Sequence, residues 1–302
     1  MAGTMVTSTV ATSRAKGSAA EVANLLASHI TARLGPMPTL ALVFASSAQP
    51  LSQLLPVLKS RLPGTLLLAA SSAGELTDGK SDSGSASIFA IRGDLRVAAS
   101  LTRPHETPHQ MIDRTVHQLV SALPAQIEGY PHRTALLLLD SPNAELAARC
   151  HARFGVTLVA VAAGHSVGQT SEVGCDAESA AGGAAVLAVI HSREQLGIGA
   201  ANGHATRHDD WPATNDASDD SPSHAARIAA RRAATHGRER PIAGALVFDC
   251  SCRLSLGAGY EADQAGLATE LGVPYAGLAT HGQLALGAGD QGTATVVVTF
   301  PK

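Results

Sequence analysis

Residues 244–287 read GALVFDCSCRLSLGAGYEADQAGLATELGVPYAGLATHGQLALG, and they indicate an α/β fold. Residues 244–250 and 273–279 are short apolar runs, and residues 259–271 between them show helical spacing, with Leu267 and Leu271 one turn apart. Gly272 ends this predicted helix. The second run is followed by the polar turn 280–283. Because ligands in α/β folds bind where turns leave the carboxyl ends of strands, we look for a site in this turn and in similar turns.

The same order of helix, strand, helix, strand, turn and strand occurs three times, with apolar strands beginning near residues 40, 135 and 244. The sequence therefore predicts an α/β fold with mixed sheets, flanked by helices and built from three repeated units, although alternating elements also occur by coincidence. Two hairpins are predicted, one from residues 86–91 and 95–101 and one from residues 184–190 and 196–201. Superposed units would make three sets of positions equivalent: Ser72 with Gly164 and Thr280, Ala73 with His165 and His281, and Glu75 with Gln283.

Both halves of the chain resemble FIST domains. In the C-terminal half the resemblance rests on Cys250, Arg253, Pro274, Gly277, Thr280 and Gly282, and in the N-terminal half on LALVFAS (40–46) and LLAASSAGEL (67–76). The chain departs from the family at Gln283, where a glutamate is usual, and at His281, where an aromatic residue is usual. The resemblance implies a FIST N-terminal-like domain over residues 16–203, an acidic polar linker over 204–221 and a shortened C-terminal-like domain over 222–302. It also implies a small-ligand sensor of bacterial signalling, and some relatives bind haem and respond to nitric oxide.

Composition limits the classes of function. The chain has 302 residues, is 45% hydrophobic but only 3% aromatic, and carries a net charge of −3 without a basic block. A nucleic-acid partner is therefore not expected, and no apolar run is long enough to cross a membrane. The four cysteines and the absence of a secretory signature predict reduced thiols and a cytoplasmic location. Residues 1–17 are predicted to be frayed.

The candidate ligand-binding residues lie in the strand-end turns. Ser71, Ser72 and Glu75 can hold a small polar ligand through hydroxyls and a carboxylate, or the serines can simply satisfy local backbone groups. Thr280, His281 and Gln283 offer a similar set.

Two further groups extend this hypothesis. His165 and His281 can face one shared pocket, or each can be an ordinary loop histidine. Arg253 can bind a ligand carboxylate through two hydrogen bonds, or it can be a surface arginine.

Other chemistry has weaker support in the sequence. Cys250 and Cys252 would lie on one side of a strand, where a buried thiol is more typical of a core than of catalysis. His204 and His208 could share a helix face and bind a metal, but the acidic segment around them is more typical of a solvated loop. His204 is also the candidate axial ligand if haem is bound, although few aromatics are present to cover a porphyrin.

We therefore expect a non-catalytic sensor of a small polar metabolite, with no cofactor and no catalytic residues, that acts through a signalling protein in trans. The alternatives are a haem-based gas sensor and a hydrolase that uses Ser72 or Cys250.

Overall fold

The computed structural model describes residues 9–102, 108–165, 169–201, 225–237, 240–287 and 294–302. The first unit contains β1 (Thr9–Ala15), α1 (Ala19–Leu34), β2 (Leu40–Ser46), α2 (Leu51–Arg61), β3 (Leu66–Ser72), β4 (Glu75–Thr77), β5 (Lys80–Asp82), β6 (Ala86–Arg92) and β7 (Leu95–Leu101). The second contains α3 (Pro108–Ala122), β8 (His132–Leu139), α4 (Ala144–Phe154), β9 (Thr157–Ala162), β10 (Val173–Cys175), β11 (Glu178–Ala180), β12 (Ala185–Ser192) and β13 (Gly197–Ala201). The third contains α5 (Ala225–His236), β14 (Ile242–Cys250), a 3-10 helix (Ser251–Leu256), α6 (Ala258–Leu271), β15 (Tyr275–Thr280), β16 (Gly282–Leu286) and β17 (Thr295–Pro301).

Local sequence explains where several helices begin and end. Ser18 and Glu21 form a capping box at the start of α1, in which each side chain accepts a hydrogen bond from the other residue's backbone N–H. Asn143 caps α4 by accepting from the Leu146 amide, and Gly155 ends that helix in the left-handed conformation. The helices then bury one face each, as Val22, Leu26 and Ile30 of α1 do.

The strands form three mixed sheets, which confirms the predicted α/β fold of three repeated units. The strand orders are β1-β6-β2-β3-β10-β11, β16-β9-β8-β12-β7 and β13-β17-β14-β15-β4-β5. Each sheet is built around one parallel pair, namely β2–β3, β8–β9 or β14–β15. A third strand pairs antiparallel with the first member of each pair. Apart from β1, which belongs to the first unit, the remaining strands of each sheet come from neighbouring units.

This exchange of strands shows that both predicted hairpins are wrong. β6 lies between β1 and β2, so it has no free edge for β7, which pairs instead with β12 of the second unit. In the same way β12 lies between β8 and β7, and β13 pairs with β17 of the third unit. A short turn between two apolar runs predicted pairing, but neither preceding strand had an edge left to offer.

Part of the predicted frayed N-terminus is also ordered. Residues 9–15 form β1, which pairs with β6 from Thr9 opposite Arg92 to Ala15 opposite Ala86. The prediction failed because the partner strand lies more than seventy residues away in the sequence. Residues 1–8 lie outside the described ranges.

The three sheets share one inner core. Its largest cluster takes side chains from all three sheets, including an edge-to-face pair of Phe44 and Phe248 with ring centroids 6.1 Å apart and a tilted pair of Phe89 and Phe300 at 5.2 Å. Three smaller clusters lie between the helices and the outer faces of the sheets.

Three of the C-terminal strands, β14, β15 and β17, share a sheet with β4, β5 and β13 of the earlier units, and β16 joins the second sheet, while the domain limits themselves stay a prediction. Among the described helices, none has the length and apolar character needed to cross a membrane.

Candidate functional site

The strand-end turns of the three units meet at one junction. The Ala73 amide donates to the Ala279 carbonyl at 3.1 Å, the Gly164 amide to the Ser71 carbonyl at 3.0 Å, and the His281 amide to the Ala162 carbonyl at 3.2 Å. These three hydrogen bonds form a ring, in which the second unit donates to the first, the third to the second and the first to the third. The junction therefore brings together turns that lie about a hundred residues apart.

The ring of hydrogen bonds corrects the predicted equivalence in the second unit by one position. Ala73, Gly164 and His281 are equivalent donors, so Ser72 matches Ala163 and Thr280 rather than Gly164. Gly164 is needed at this point, because a Cβ there would lie 2.3 Å from the Ala279 carbonyl oxygen and 2.5 Å from the Ala73 nitrogen.

A longer loop also distinguishes the second unit. Glu172 pairs with Ser71 in the position that Gly74 takes against Ala279 in the third sheet. The second unit therefore carries an insertion after Gly164, and the sequence pattern alone did not reveal it.

A polar cleft of about 210 Å³ lies at the carboxyl ends of β2 and β3, beside the first turn of α2. Ser71 is the predicted ligand residue that lines it. The other lining residues were not predicted: Ser46, Ser47, Gln49, Pro50, Leu51, Gln169, Thr170 and Glu172. The sequence indicates Ser46 in the same way as Ser71, because the serine pair at 46 and 47 comes at the end of an apolar strand, as the pair at 71 and 72 does. Glu172 belongs to the inserted loop and left no such signal.

Buried polar atoms in this cleft have no partner among the described residues. They are the Ser46 hydroxyl, Oε1 of Gln49 and Oε2 of Glu172. Ser46 is 6% exposed and Gln49 is 3% exposed. The Gln49 amide nitrogen donates to the Gly17 carbonyl at 2.6 Å, which turns its oxygen to the acceptor role. Leaving a buried polar atom unpaired costs about 1–3 kcal/mol. The cleft therefore has unused hydrogen-bonding capacity that a bound molecule can satisfy.

Ser72 and Glu75 lie outside this cleft and are buried. The Ser72 hydroxyl donates to the Gly74 carbonyl at 2.6 Å and accepts from the Gly74 amide at 3.0 Å, which is the turn chemistry weighed as the alternative. Glu75 accepts from the Ser85 hydroxyl at 2.6 Å and from the Ser85 amide at 3.2 Å. Burial raises the pKa of Glu75 to about 7, against the opposing effect of the Ser85 hydrogen bonds.

The third-unit candidates are not among the residues that line this cleft. Thr280 donates to the Gln283 side-chain oxygen and accepts from the Gly282 amide at 3.2 Å. The rings of His165 and His281 are in contact, with centroids 4.4 Å apart and planes 73° apart. Nδ1 of His165 is 2.7 Å from the Ser171 hydroxyl. The structure thus brings the two predicted histidines together at the edge of the inserted loop.

Arg253 lies apart from the junction turns and is not a surface residue. It is 2% exposed and donates to Asp249, to Asp263 and, at 2.8 Å, to the Thr295 hydroxyl. Its guanidinium also lies over the Tyr260 ring, 5.6 Å from the centroid. The attraction of the two carboxylates outweighs the effect of burial and raises the pKa of Arg253. Because these donors already bind protein groups, Arg253 stabilises the third unit internally.

The cysteine prediction needs a correction. Cys250 and Cys252 form a disulfide, with Cα atoms 5.3 Å apart, whereas Cys150 and Cys175 are free. The two residues do not share a strand, because β14 ends at Cys250 and Cys252 lies in the 3-10 helix. Their Cα separation is within the usual range for a disulfide. As a disulfide sulfur, Cys250 is not a thiolate nucleophile in this structure.

The candidates in the acidic segment, His204 and His208, lie outside the described residues, as does the whole predicted linker at 204–221. Within the described ranges, no group of three His, Cys, Asp or Glu side chains is placed to hold a metal ion.

Comparisons with known proteins give a family. The FIST N domain matches residues 39–214, which is more than half of the chain. No curated protein sequence is significantly similar.

Solved structures with a similar course of the chain include a cyanuric acid hydrolase described as an evolutionary innovation by structural concatenation (12% identity, TM-score 0.42, 98% of this chain and 100% of that chain). A second is the cyanuric acid hydrolase of A. caulinodans (11% identity, TM-score 0.45, 98% of this chain and 99% of that chain). A third is a chorismatase (9% identity, TM-score 0.43, 98% of this chain and 99% of that chain). At TM-scores below 0.5, these similarities say nothing about the chemistry of this chain.

Proposed function

Because the chain belongs to the FIST N domain family, whose members are sensory domains for small ligands, we propose that it is a non-catalytic small-ligand sensor of bacterial signal transduction. The ligand occupies the cleft at the carboxyl ends of β2 and β3. The bound state is read by a partner protein in trans. The observation that carries this proposal is the set of buried, unpartnered polar atoms that line the cleft.

The chemistry of the cleft favours a ligand with an amine. Oε1 of Gln49 is an acceptor, and the carboxylate oxygens of Glu172 accept as well. An ammonium or amine group on the ligand would donate to both. Glu172 is held in place by its backbone, since its amide donates to the Ser71 hydroxyl at 2.9 Å and its carbonyl accepts from the Ser71 amide at 2.8 Å.

The start of α2, which also lines the cleft, favours an acceptor on the same ligand. Pro50 and Leu51 line it at the start of α2, where the first backbone N–H groups of a helix have no partner within the helix. The partial positive charge at a helix N-terminus favours an anionic group. A small zwitterionic metabolite, with an ammonium toward Glu172 and an anionic group toward α2, satisfies both sides.

The test is a thermal-shift screen of amino acids and other small amines, followed by calorimetry on each hit. We expect Glu172→Gln to weaken binding by about 1 kcal/mol, or roughly fivefold, because it removes one partly exposed ion pair. Ser46→Ala should also weaken it. Glu178→Gln, which changes an exposed glutamate of β11, is the matched control and should bind as wild type does. A hit whose affinity is the same in Glu172→Gln and Ser46→Ala would contradict a ligand in this cleft.

Two further measurements address the alternatives. Hydrolysis of an ester or amide that is lost in Ser72→Ala or Cys250→Ala would favour a hydrolase over a sensor. We propose that binding needs no haem, so the purified protein should show no Soret band. A Soret band that disappears in His204→Ala would support gas sensing instead.

A further inference from the structure

A second cavity, of about 200 Å³, lies between α3 and the outer face of the second sheet. Its walls are mostly apolar. The apolar side chains that form them come from β7, β12, α3, α4 and the residue that follows α3. They include Ala98, Val116, Leu119, Leu123, Phe154 and Val189. This cavity is separate from the polar cleft, because the two share no lining residue.

Three basic side chains interrupt the apolar wall. They are Arg133 of β8, Arg153 at the end of α4 and His191 of β12. Neither arginine forms an ion pair with any described residue, and no carboxylate lines the cavity. His191 is only 2% exposed, and its Nδ1 has no hydrogen-bond partner among the described residues.

The charge of His191 is set by its surroundings. Burial, and to a lesser extent the positive charge of Arg133, lowers the pKa of the imidazole. The ring is therefore neutral at neutral pH and can share a hydrogen bond with a ligand. The positive charge at the cavity comes from the two arginines.

The equivalent position in the third unit shows that an empty space is not a requirement of the fold. There α5 packs directly on β13, where a Cβ on Gly197 would lie 2.2 Å from the Ala233 carbonyl oxygen and one on Gly199 would lie 2.1 Å from the Ala229 carbonyl oxygen. Only about 10 Å³ remains free beside this contact. In the second sheet, Ala98 of β7 stands where β13 has glycine, and α3 presents the bulkier Val116 and Leu119, so the cavity remains between helix and sheet.

We propose that this second cavity binds a ring-sized apolar carboxylate. An apolar cavity of about 150 Å³ accommodates benzene, so the volume here suits one ring with a small substituent. The ring would lie between α3 and the sheet, against Leu119 and Val189. The carboxylate would face Arg133 and Arg153, because unpaired guanidinium groups bind carboxylates through paired, charge-assisted hydrogen bonds.

Calorimetry with benzoate and phenylacetate as probes tests this site, with benzyl alcohol and benzylamine as controls of the same size. We expect saturable binding of the acids at millimolar concentration or tighter, and at least about tenfold weaker binding of the neutral and cationic controls. Arg133→Gln and Arg153→Gln should each weaken benzoate binding. Arg33→Gln, an arginine at the end of α1 far from this cavity, should not.

Filling the space gives an independent check. Ala98→Leu should abolish benzoate binding while its circular dichroism spectrum stays that of the folded protein. Glu172→Gln should leave benzoate binding unchanged, so failure of the polar cleft and failure of this cavity are distinguishable. Equal binding of benzoate and benzyl alcohol, benzoate binding that survives both arginine substitutions and Ala98→Leu, or the absence of saturable binding would each overturn the proposal.

Discussion

The first and third units differ in the segment that follows the first strand of their parallel pair. Ser46 ends β2 opposite Ser72, and Cys250 ends β14 opposite Thr280. In the first unit the helix begins five residues later and leaves a cleft with unpartnered acceptors. In the third unit a 3-10 helix follows at once and places Arg253 against Asp249. The same arrangement of paired strands thus leaves an open cleft in the first unit and a buried ion-pair network in the third. The difference lies in the connection that follows the strand.

The largest expected effect is the loss of the internal pairing in the third unit. Arg253→Met should lower the free energy of unfolding by about 3–5 kcal/mol, because it leaves Asp249 buried without its cation and Asp263 with Arg227 alone, 3.5 Å away. Chemical denaturation measures this. Arg231→Met is the matched control, since its pair with Glu270 is exposed and screened by solvent, and its loss should change the stability far less. Equal losses in the two variants would show that the buried network is not what stabilises this unit.

Glu75 and Gln283 occupy equivalent positions and differ by one titratable group. Because the pKa of Glu75 is raised from 4.5 to about 7, the folded state binds more protons than the unfolded state between these values. Stability is therefore lost as pH rises through this window, by about 3 kcal/mol at most. Glu75→Gln should match wild type near pH 5 and be more stable near pH 8. Parallel pH profiles of unfolding for the two proteins would contradict the raised pKa.

The disulfide after β14 should contribute less. Closing a ring between Cys250 and Cys252 restricts the unfolded chain only slightly, so reduction should lower the free energy of unfolding by about 1.5 kcal/mol. Urea denaturation with and without reductant measures the difference. The double variant Cys250→Ser/Cys252→Ser should not respond to reductant. A wild-type protein that also fails to respond would indicate free thiols, as the sequence had predicted.

The smallest expected effect is a gain in stability, and it concerns the cleft. Ser46→Ala removes a buried hydroxyl without a partner, so the ligand-free protein should gain up to about 1 kcal/mol in stability. The same substitution should weaken a ligand that binds the cleft. Ser72→Ala is the contrast, because its hydroxyl is hydrogen-bonded to Gly74 and its removal should destabilise the protein. If both substitutions destabilise equally, the Ser46 hydroxyl has a partner within the protein.

Part of the candidate site was readable from the sequence. The rule that polar turns follow buried strands identified Ser71, which lines the cleft, and identified His165 and His281, whose rings are in contact. The same rule also indicates Ser46 at the end of β2, which lines the cleft. Gln49 and Glu172 could not be found in this way, because what makes them notable is burial without a partner.

Strand pairing was the feature that the sequence predicted least well. Hairpins were predicted from short turns, but the partner of β7 lies in the second unit and that of β13 lies in the third. Local sequence reports where a strand begins and ends, whereas pairing depends on which edges are already occupied. Arg253 illustrates the same point for side chains, because its partner Asp263 is ten residues away on α6 and only the fold shows that both are buried.

Hydrophobic periodicity and turn residues by themselves determined the α/β class, the three units and the order of the main helices and strands within each, because these features depend on neighbours along the chain. The tertiary structure alone decided which strands pair, which arginine is enclosed by carboxylates and which polar atoms are left for a ligand. Those features depend on groups that come together only when three distant units exchange strands around one core. A buried acceptor without a partner is a property of the assembled fold, and no single segment of sequence encodes it.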